Sequence, residues 1–194
     1  VYLELGDSAE AVDQLQQVLD TNPNNNTARY HLGNAQLANG DPDAALETWQ
    51  SINSGTELLT SRLQISQLLV KQGHLDALSE LLQKDREEYP QHALTLYQIE
   101  IETLADQPEQ AIERTNAALR AYPVESSLLY TRAMLNEQLG NSEAAVQDLS
   151  TIIEREPDNA MALNALGYTL ADRNERLDEA LDLLQRAAAL APDD

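Results

Sequence analysis

The 194-residue sequence has no cysteine, no phenylalanine and one tryptophan, and sets 12 basic side chains against 33 acidic ones. Each shortage narrows the chemistry. Without cysteine there are no disulfides, no thiolate metal ligands and no thiol nucleophile, a state equally at home in an oxidising compartment and in the cytoplasm. With so few cations and a formal net charge of −21, the surface repels phosphate backbones and anionic headgroups, so nucleic acid is not an expected partner. No run reaches the roughly 20 apolar residues of a transmembrane segment. The seven glycines stand singly, which leaves no Gly-rich phosphate loop. His31, His74 and His92 have no neighbour at metal-ligand spacing. Acidic pairs such as Glu87-Glu88 and Asp193-Asp194 arise by chance in so acidic a chain, and Asp41-Pro42-Asp43 lacks calcium-loop spacing. No converging catalytic site is marked. We expect no enzyme, no metal and no cofactor.

What is present is helix-forming material. Ala, Leu, Gln, Glu and Arg dominate, while the β-branched and aromatic runs of strands are scarce. An all-α fold follows. Ala11, Leu15, Val18 and Leu19 recur at three-to-four spacing, as do Ala145, Leu149, Ile152 and Ile153, each set predicting a helix with one buried stripe. The acidic surplus keeps an Ala/Leu-rich chain soluble and would steer a basic partner.

The helical material repeats. Pro90, Pro123, Pro157 and Pro192 are separated by 33, 34 and 35 residues, and Pro23 precedes Pro90 by 67, two such units. Asn or Asp follows most of them, as in Pro23-Asn24-Asn25, Pro157-Asp158-Asn159 and Pro192-Asp193-Asp194. Proline stops one helix and Asn or Asp caps the next. Within the units, Gly40-Asp41-Pro42-Asp43-Ala44-Ala45-Leu46 recurs as Gly140-Asn141-Ser142-Glu143-Ala144-Ala145-Val146 and as Gly6-Asp7-Ser8-Ala9-Glu10-Ala11-Val12. A shifted copy begins at Gly73-His74. These are turns between paired helices, with alanine where the helices cross closely. Leu32-Gly33 and Leu166-Gly167 place glycine inside a helix, where a neighbour can approach.

A period near 34 with these features resembles the tetratricopeptide repeat, over essentially the whole chain. The resemblance implies a right-handed α-α superhelix of antiparallel helix pairs. It divides the chain into a partial repeat at 1–25 and full repeats at 26–58, 59–92, 93–125, 126–159 and 160–194, one array. Ser66 stands where Gly or Ala is usual, Ala105-Asp106-Gln107-Pro108 replaces a turn glycine, Asp172–Arg176 enlarges the last turn, and Ile52-Asn53-Ser54-Gly55-Thr56 lacks the proline. The helix before that last stretch should stop early. Starting in mid-pattern at Val1 and stopping at Ala191-Pro192-Asp193-Asp194, the chain reads as part of a longer array, with open ends through which self-association is expected.

The resemblance also implies a function: holding another protein or peptide on the concave face, lined by the first helix of each pair. Carried over by repeat position, the groove residues are Tyr30, Asn34, Leu63, Gln67, Tyr97, Ile101, Tyr130, Met134 and Tyr168. Tyr30, Tyr97 and Tyr130 share one repeat position. Tyrosine suits a binding surface and equally suits packing between repeats. Repeats that clamp a terminal carboxylate need lysine where this chain has Tyr30, Leu63, Tyr97, Tyr130 and Asn164, so that ligand is not expected. Asn164-Ala165-Leu166-Gly167-Tyr168-Thr169-Leu170-Ala171-Asp172-Arg173 is similar to a stretch of bacterial outer-membrane tetratricopeptide lipoproteins. That similarity implies a periplasmic location, anchorage through a lipidated N-terminus lying outside this sequence, and an adaptor role toward a periplasmic carboxyl-terminal processing protease. Two other readings remain open: a structural spacer, or an accessory region of an enzyme whose catalytic part lies elsewhere.

Overall fold

A computed structural model describes residues 8–190. Gly6-Asp7 of one turn copy and the terminal Ala191-Pro192-Asp193-Asp194 lie outside the described residues. Among those described there are eleven α-helices, one short 3-10 turn and no strand. The helices fall into two compact units that divide between Thr103 and Leu104.

In the first unit α1 (Ser8–Thr21) packs on α2 (Asn26–Ala38), which pairs with α3 (Pro42–Gln50); α4 (Glu57–Gln72) pairs with α5 (Leu75–Glu88). A 3-10 turn at Pro90–His92 leads into α6 (Ala93–Thr103), which rests on both α4 and α5. The core runs from Ala45, Trp49 and Ile52 through Ile65 and Leu69 to Leu78, Leu82 and Leu96. In the second unit α7 (Pro108–Ala121) packs on α8 (Ser126–Gln138), α8 pairs with α9 (Ser142–Arg155), and α9 supports α10 (Ala160–Asp172), which pairs with α11 (Leu177–Leu190). Ala145, Leu149 and Ile152 form the buried stripe of α9; on α1 Leu19 is buried, but Val18 faces outward.

Local chemistry sets these boundaries. The side chains of Asn25, Asp41 and Asn159 accept the amides of Ala28, Ala44 and Ala162 at 3.0, 3.2 and 3.0 Å, each satisfying an orphan N–H of a helix start. The α4 helix ends at Gly73, whose φ of +76° lets the His74 amide reach back to the Leu69 carbonyl. Glycine inside a helix has a different task. A Cβ on Gly33 would lie 2.3 Å from Trp49 Nε1, and one on Gly167 would lie 2.7 Å from Leu184 Cγ. Both pairs therefore pack with the first helix laid directly on the second.

The stretch without proline is held by side chains from its neighbours. The α3 helix closes after nine residues. Arg62 of α4 then donates to the Trp49 and Ile52 carbonyls at 3.2 and 3.1 Å, and Asn26 donates to the Ser54 carbonyl at 2.8 Å. Ser66 is fully buried and returns its hydroxyl proton to the Arg62 carbonyl. The enlarged turn of the last pair bends through Asn174 and Arg176 at φ values of 54° and 45°, braced by Arg173–Glu175 and Arg176–Glu179 ion pairs.

Candidate functional site

Surface charge is sorted by helix. Within the first helices of the pairs, α2 carries no acidic residue, α4 carries only Glu57, α8 only Glu137 and α10 only Asp172; α6 has Glu102 besides the buried Glu100. The second helices hold the acid. Beyond the buried Asp85, α5 alone carries Asp76, Glu80, Glu87 and Glu88. Within each unit the first-helix surface is consequently a low-charge strip in a strongly acidic chain, built from amide, hydroxyl, aromatic and thioether side chains.

The residues expected along that strip have different surroundings. In the first unit, Tyr30 is half-buried against the Trp49 cluster, and its backbone carbonyl accepts the Trp49 indole N–H at 3.1 Å. Its ring meets His31 edge-on at 5.5 Å. Asn34 and Leu63 are half-buried and Gln67 is exposed. Tyr97 lies beneath the Arg86 guanidinium, 4.1 Å from ring centre to Cζ. Ile101 is 5% exposed and offers its neighbours packing rather than a contact surface. In the second unit Tyr130 and Met134 are half-buried, whereas Tyr168 is 63% exposed. Tyr168 shares a cleft of about 490 Å³ with Met161, Asn164, Leu184 and Ala188.

Arginine–carboxylate pairs join neighbouring helices. Arg62 meets Asp85 through Nε and Nη2, at 2.5 and 3.2 Å. Arg86 Nη1 meets Glu100 at 2.8 Å, the same arginine that covers Tyr97. Arg132 grips Asp148 with two bonds, 2.7 and 2.6 Å, and reaches Asn116 at 2.9 Å. The Asp148 bonds raise the Arg132 pKa above its ordinary value. Asp85, Glu100 and Asp148 are all buried. They are structural clamps that the repeat positions did not reveal. Their signal lies in the helical period: Asp85 continues the Leu78–Leu82 stripe, and Arg62 sits between Leu58 and Ile65.

Surface carboxylates also tie helix ends together: Glu57 joins α4 to α2 of the preceding pair, and Glu156, at the end of α9, joins back to the start of α8 within its own pair. Glu57 and Glu156 each have a pKa below the usual carboxylate range, chiefly because the hydroxyls of Thr27 and Ser126 donate to them. Among the described residues no group of three or more histidines and acids could hold a metal ion, and no helix is long and apolar enough to cross a membrane.

Comparison with known proteins gives a consistent family. The model of the tetratricopeptide repeat matches residues 1–52, 105–150 and 130–194. A TPR repeat-containing protein of Pseudomonas aeruginosa is 42% identical over 169 residues, which cover 86% of this chain and 29% of that protein. DnaJ homolog subfamily C member 3 of Bos taurus is 26% identical over 203 residues, covering 94% of this chain and 40% of that protein. The chain thus spans well under half the length of these curated relatives. Among solved structures, MamA from Desulfovibrio magneticus RS-1 superposes with a TM-score of 0.56 at 14% identity, covering 87% of this chain and 96% of that one. YrrB, described as a TPR protein with an unusual peptide-binding site, gives 0.53 at 16% identity, covering 92% and 93%. At these identities the structures speak for the fold alone.

Proposed function

This chain belongs to the tetratricopeptide repeat family, and from that premise we propose that it is a protein-binding scaffold whose contact surface is the low-charge strip of its first helices. The observation that carries this reading is the charge partition. A partner segment laid along α2, α4 and α6, or along α8 and α10, meets Tyr, Asn, Gln, Met and Leu side chains with little carboxylate to desolvate. The second helices would repel anything acidic and hold competing copies apart. YrrB, a TPR protein with an unusual peptide-binding site, supports the same assignment by analogy of fold.

The partner we favour is an envelope protein, with this chain as an adaptor on the periplasmic side delivering or activating a processing protease. Support comes from the ten residues Asn164–Arg173 and their similarity to outer-membrane tetratricopeptide lipoproteins. A spacer role is the competing reading.

Capture from an envelope extract separates the two. Thr60→Glu combined with Gln67→Glu puts charge on the exposed strip of α4, and Glu80→Gln changes the exposed flank of α5. The scaffold reading expects a defined protein, identified by mass spectrometry and reconstituted in purified form. It should be retained by the parent chain and by Glu80→Gln and lost with the strip variant, at unchanged helicity. Equal retention by all three moves the contact off the α4 strip. Retention by none supports the spacer.

A further inference from the structure

Asn39 is followed by glycine, and no other asparagine of the chain is. The pair ends α2: Asn39 caps the helix and Gly40 turns the chain toward α3 at a φ of +87°. Both residues are exposed, and a Cβ built on Gly40 would meet nothing within 4 Å. Backbone bonds hold the turn, from the Gly40 amide to the Leu37 carbonyl at 3.1 Å and from the Asp41 amide to the Gln36 carbonyl at 2.9 Å. A hydroxyl also meets the asparagine side chain: Ser8, at the start of α1, donates to Asn39 Oδ1 at 3.3 Å.

We propose that Asn39 is a modification site, converted to aspartate and isoaspartate through a succinimide closed by the Gly40 nitrogen, with Ser8 assisting the closure. Rotation about ψ of Asn39 releases the Gly40 N–H from the Leu37 carbonyl, an exposed bond of modest net worth, and turns the nitrogen toward Cγ. The nitrogen gives its proton to hydroxide and bonds to Cγ; the Cγ–Nδ2 bond then breaks, and Nδ2 takes a proton from water and leaves as ammonia. Water opens the five-membered ring at either carbonyl. Nucleophile and electrophile belong to adjacent residues, so the step is intramolecular, and glycine has no side chain to crowd the nitrogen. Negative charge develops on Oδ1 during the attack, and the Ser8 hydroxyl already points at that oxygen. Exposure alone does not single out Asn39. Asn53 and Asn141 are also exposed, but each precedes a serine, and in the second unit's Gly140-Asn141 turn the glycine comes before the asparagine.

The product changes the molecule locally. A new carboxylate stands at the C-terminal end of α2, where the helix dipole is negative, close in sequence to Asp41 and Asp43 and on a helix with no acid of its own. The isoaspartate form also adds a methylene to the backbone inside the turn that the Asp41 to Gln36 bond closes. Conversion therefore loosens the α2–α3 pair slowly and irreversibly.

The test incubates the intact 194-residue chain in heavy-oxygen water at mildly alkaline pH. Peptide mapping by mass spectrometry, with fragmentation that separates aspartate from isoaspartate, follows each site. Heavy oxygen should enter at Asn39 ahead of Asn53 and Asn141, both products should form, and the rate should rise with hydroxide. Ser8→Ala should slow conversion about two- to tenfold, the rate equivalent of one hydrogen bond's net worth, and Ser8→Thr should restore it, at unchanged circular dichroism. Asn39→Asp should move the urea midpoint of Trp49 emission to lower denaturant. Label entering first at another asparagine overturns the site. Aspartate without isoaspartate means direct hydrolysis and overturns the succinimide. Conversion as fast or faster in Ser8→Ala overturns the assistance, and an unmoved midpoint in Asn39→Asp overturns the loosening.

Discussion

Replacing Asp85 by alanine should loosen the first unit at the loop that follows α3. Arg62 and Asp85 are both 3% exposed, and their guanidinium and carboxylate share two hydrogen bonds. Removing the carboxylate leaves a buried cation with only neutral acceptors, the Trp49 and Ile52 carbonyls and the Ser61 hydroxyl, a change that costs about 3–5 kcal/mol. A small domain holds about 5–15 kcal/mol in total, so the loss is a large fraction of the unit's stability. The chain provides its own reporter. Trp49 is the only tryptophan, is fully buried, and has its carbonyl bonded to Arg62. Urea titration followed by its emission should show a transition displaced to lower denaturant.

A second variant separates the charge from the loop. In Arg62→Met/Asp85→Leu the ion pair is exchanged for apolar side chains, a swap that is often neutral or stabilising. Here it also removes the donor to the buried Ile52 carbonyl, whose loss costs about 1–3 kcal/mol; the Trp49 carbonyl keeps the Ile52 amide. The double variant should therefore recover part of the loss and remain less stable than the parent chain. Wild-type stability in the double variant would refute the loop-fastening role of Arg62. A cost below about 1 kcal/mol for Asp85→Ala, the size of an exposed pair, would refute the buried-charge argument itself.

Gly33→Ala drives a methyl group to within 2.3 Å of the Trp49 indole nitrogen; the overpacking should cost about 1–3 kcal/mol and shift Trp49 emission to longer wavelength, and an unchanged spectrum would contradict the close approach. Asn159→Ala removes the cap on the Ala162 amide and should cost about 1 kcal/mol, against a few tenths for Asn159→Gly; unchanged stability in Asn159→Ala would show that the side-chain cap is not what matters there. Glu57 ionises below the usual carboxylate range because Thr27 donates to it, so its stabilising contribution is complete above the unfolded-state pKa and is lost as pH falls through the lowered one. Thr27→Val should move the NMR titration midpoint of Glu57 upward. A midpoint that stays put would mean that another group holds the carboxylate.

Periodicity made the helices legible, and it made part of the surface legible too. Asn25, Asp41 and Asn159 act as the caps their spacing suggested, Gly33 and Gly167 mark close crossings, and the helix before the stretch without proline stops early. All of these depend on residues near one another in sequence, where backbone sterics and capping decide. The groove positions read less evenly because a repeat position specifies direction and not depth. Tyr97, Ile101 and Tyr168 all stand on first helices, yet one lies under Arg86, one is buried and one is exposed. What distinguishes them is the neighbouring helix: Glu100 on α6 brings Arg86 over Tyr97, while Tyr168 opens onto a cleft. The buried clamps were hidden for a related reason. In a chain with 33 carboxylates, three more acids look like solvated surface until each is placed on its helical stripe. Asp85, Glu100 and Asp148 then fall among leucines, alanines and isoleucines, and a burial that would otherwise exclude a charge becomes evidence that an arginine waits across the helix pair.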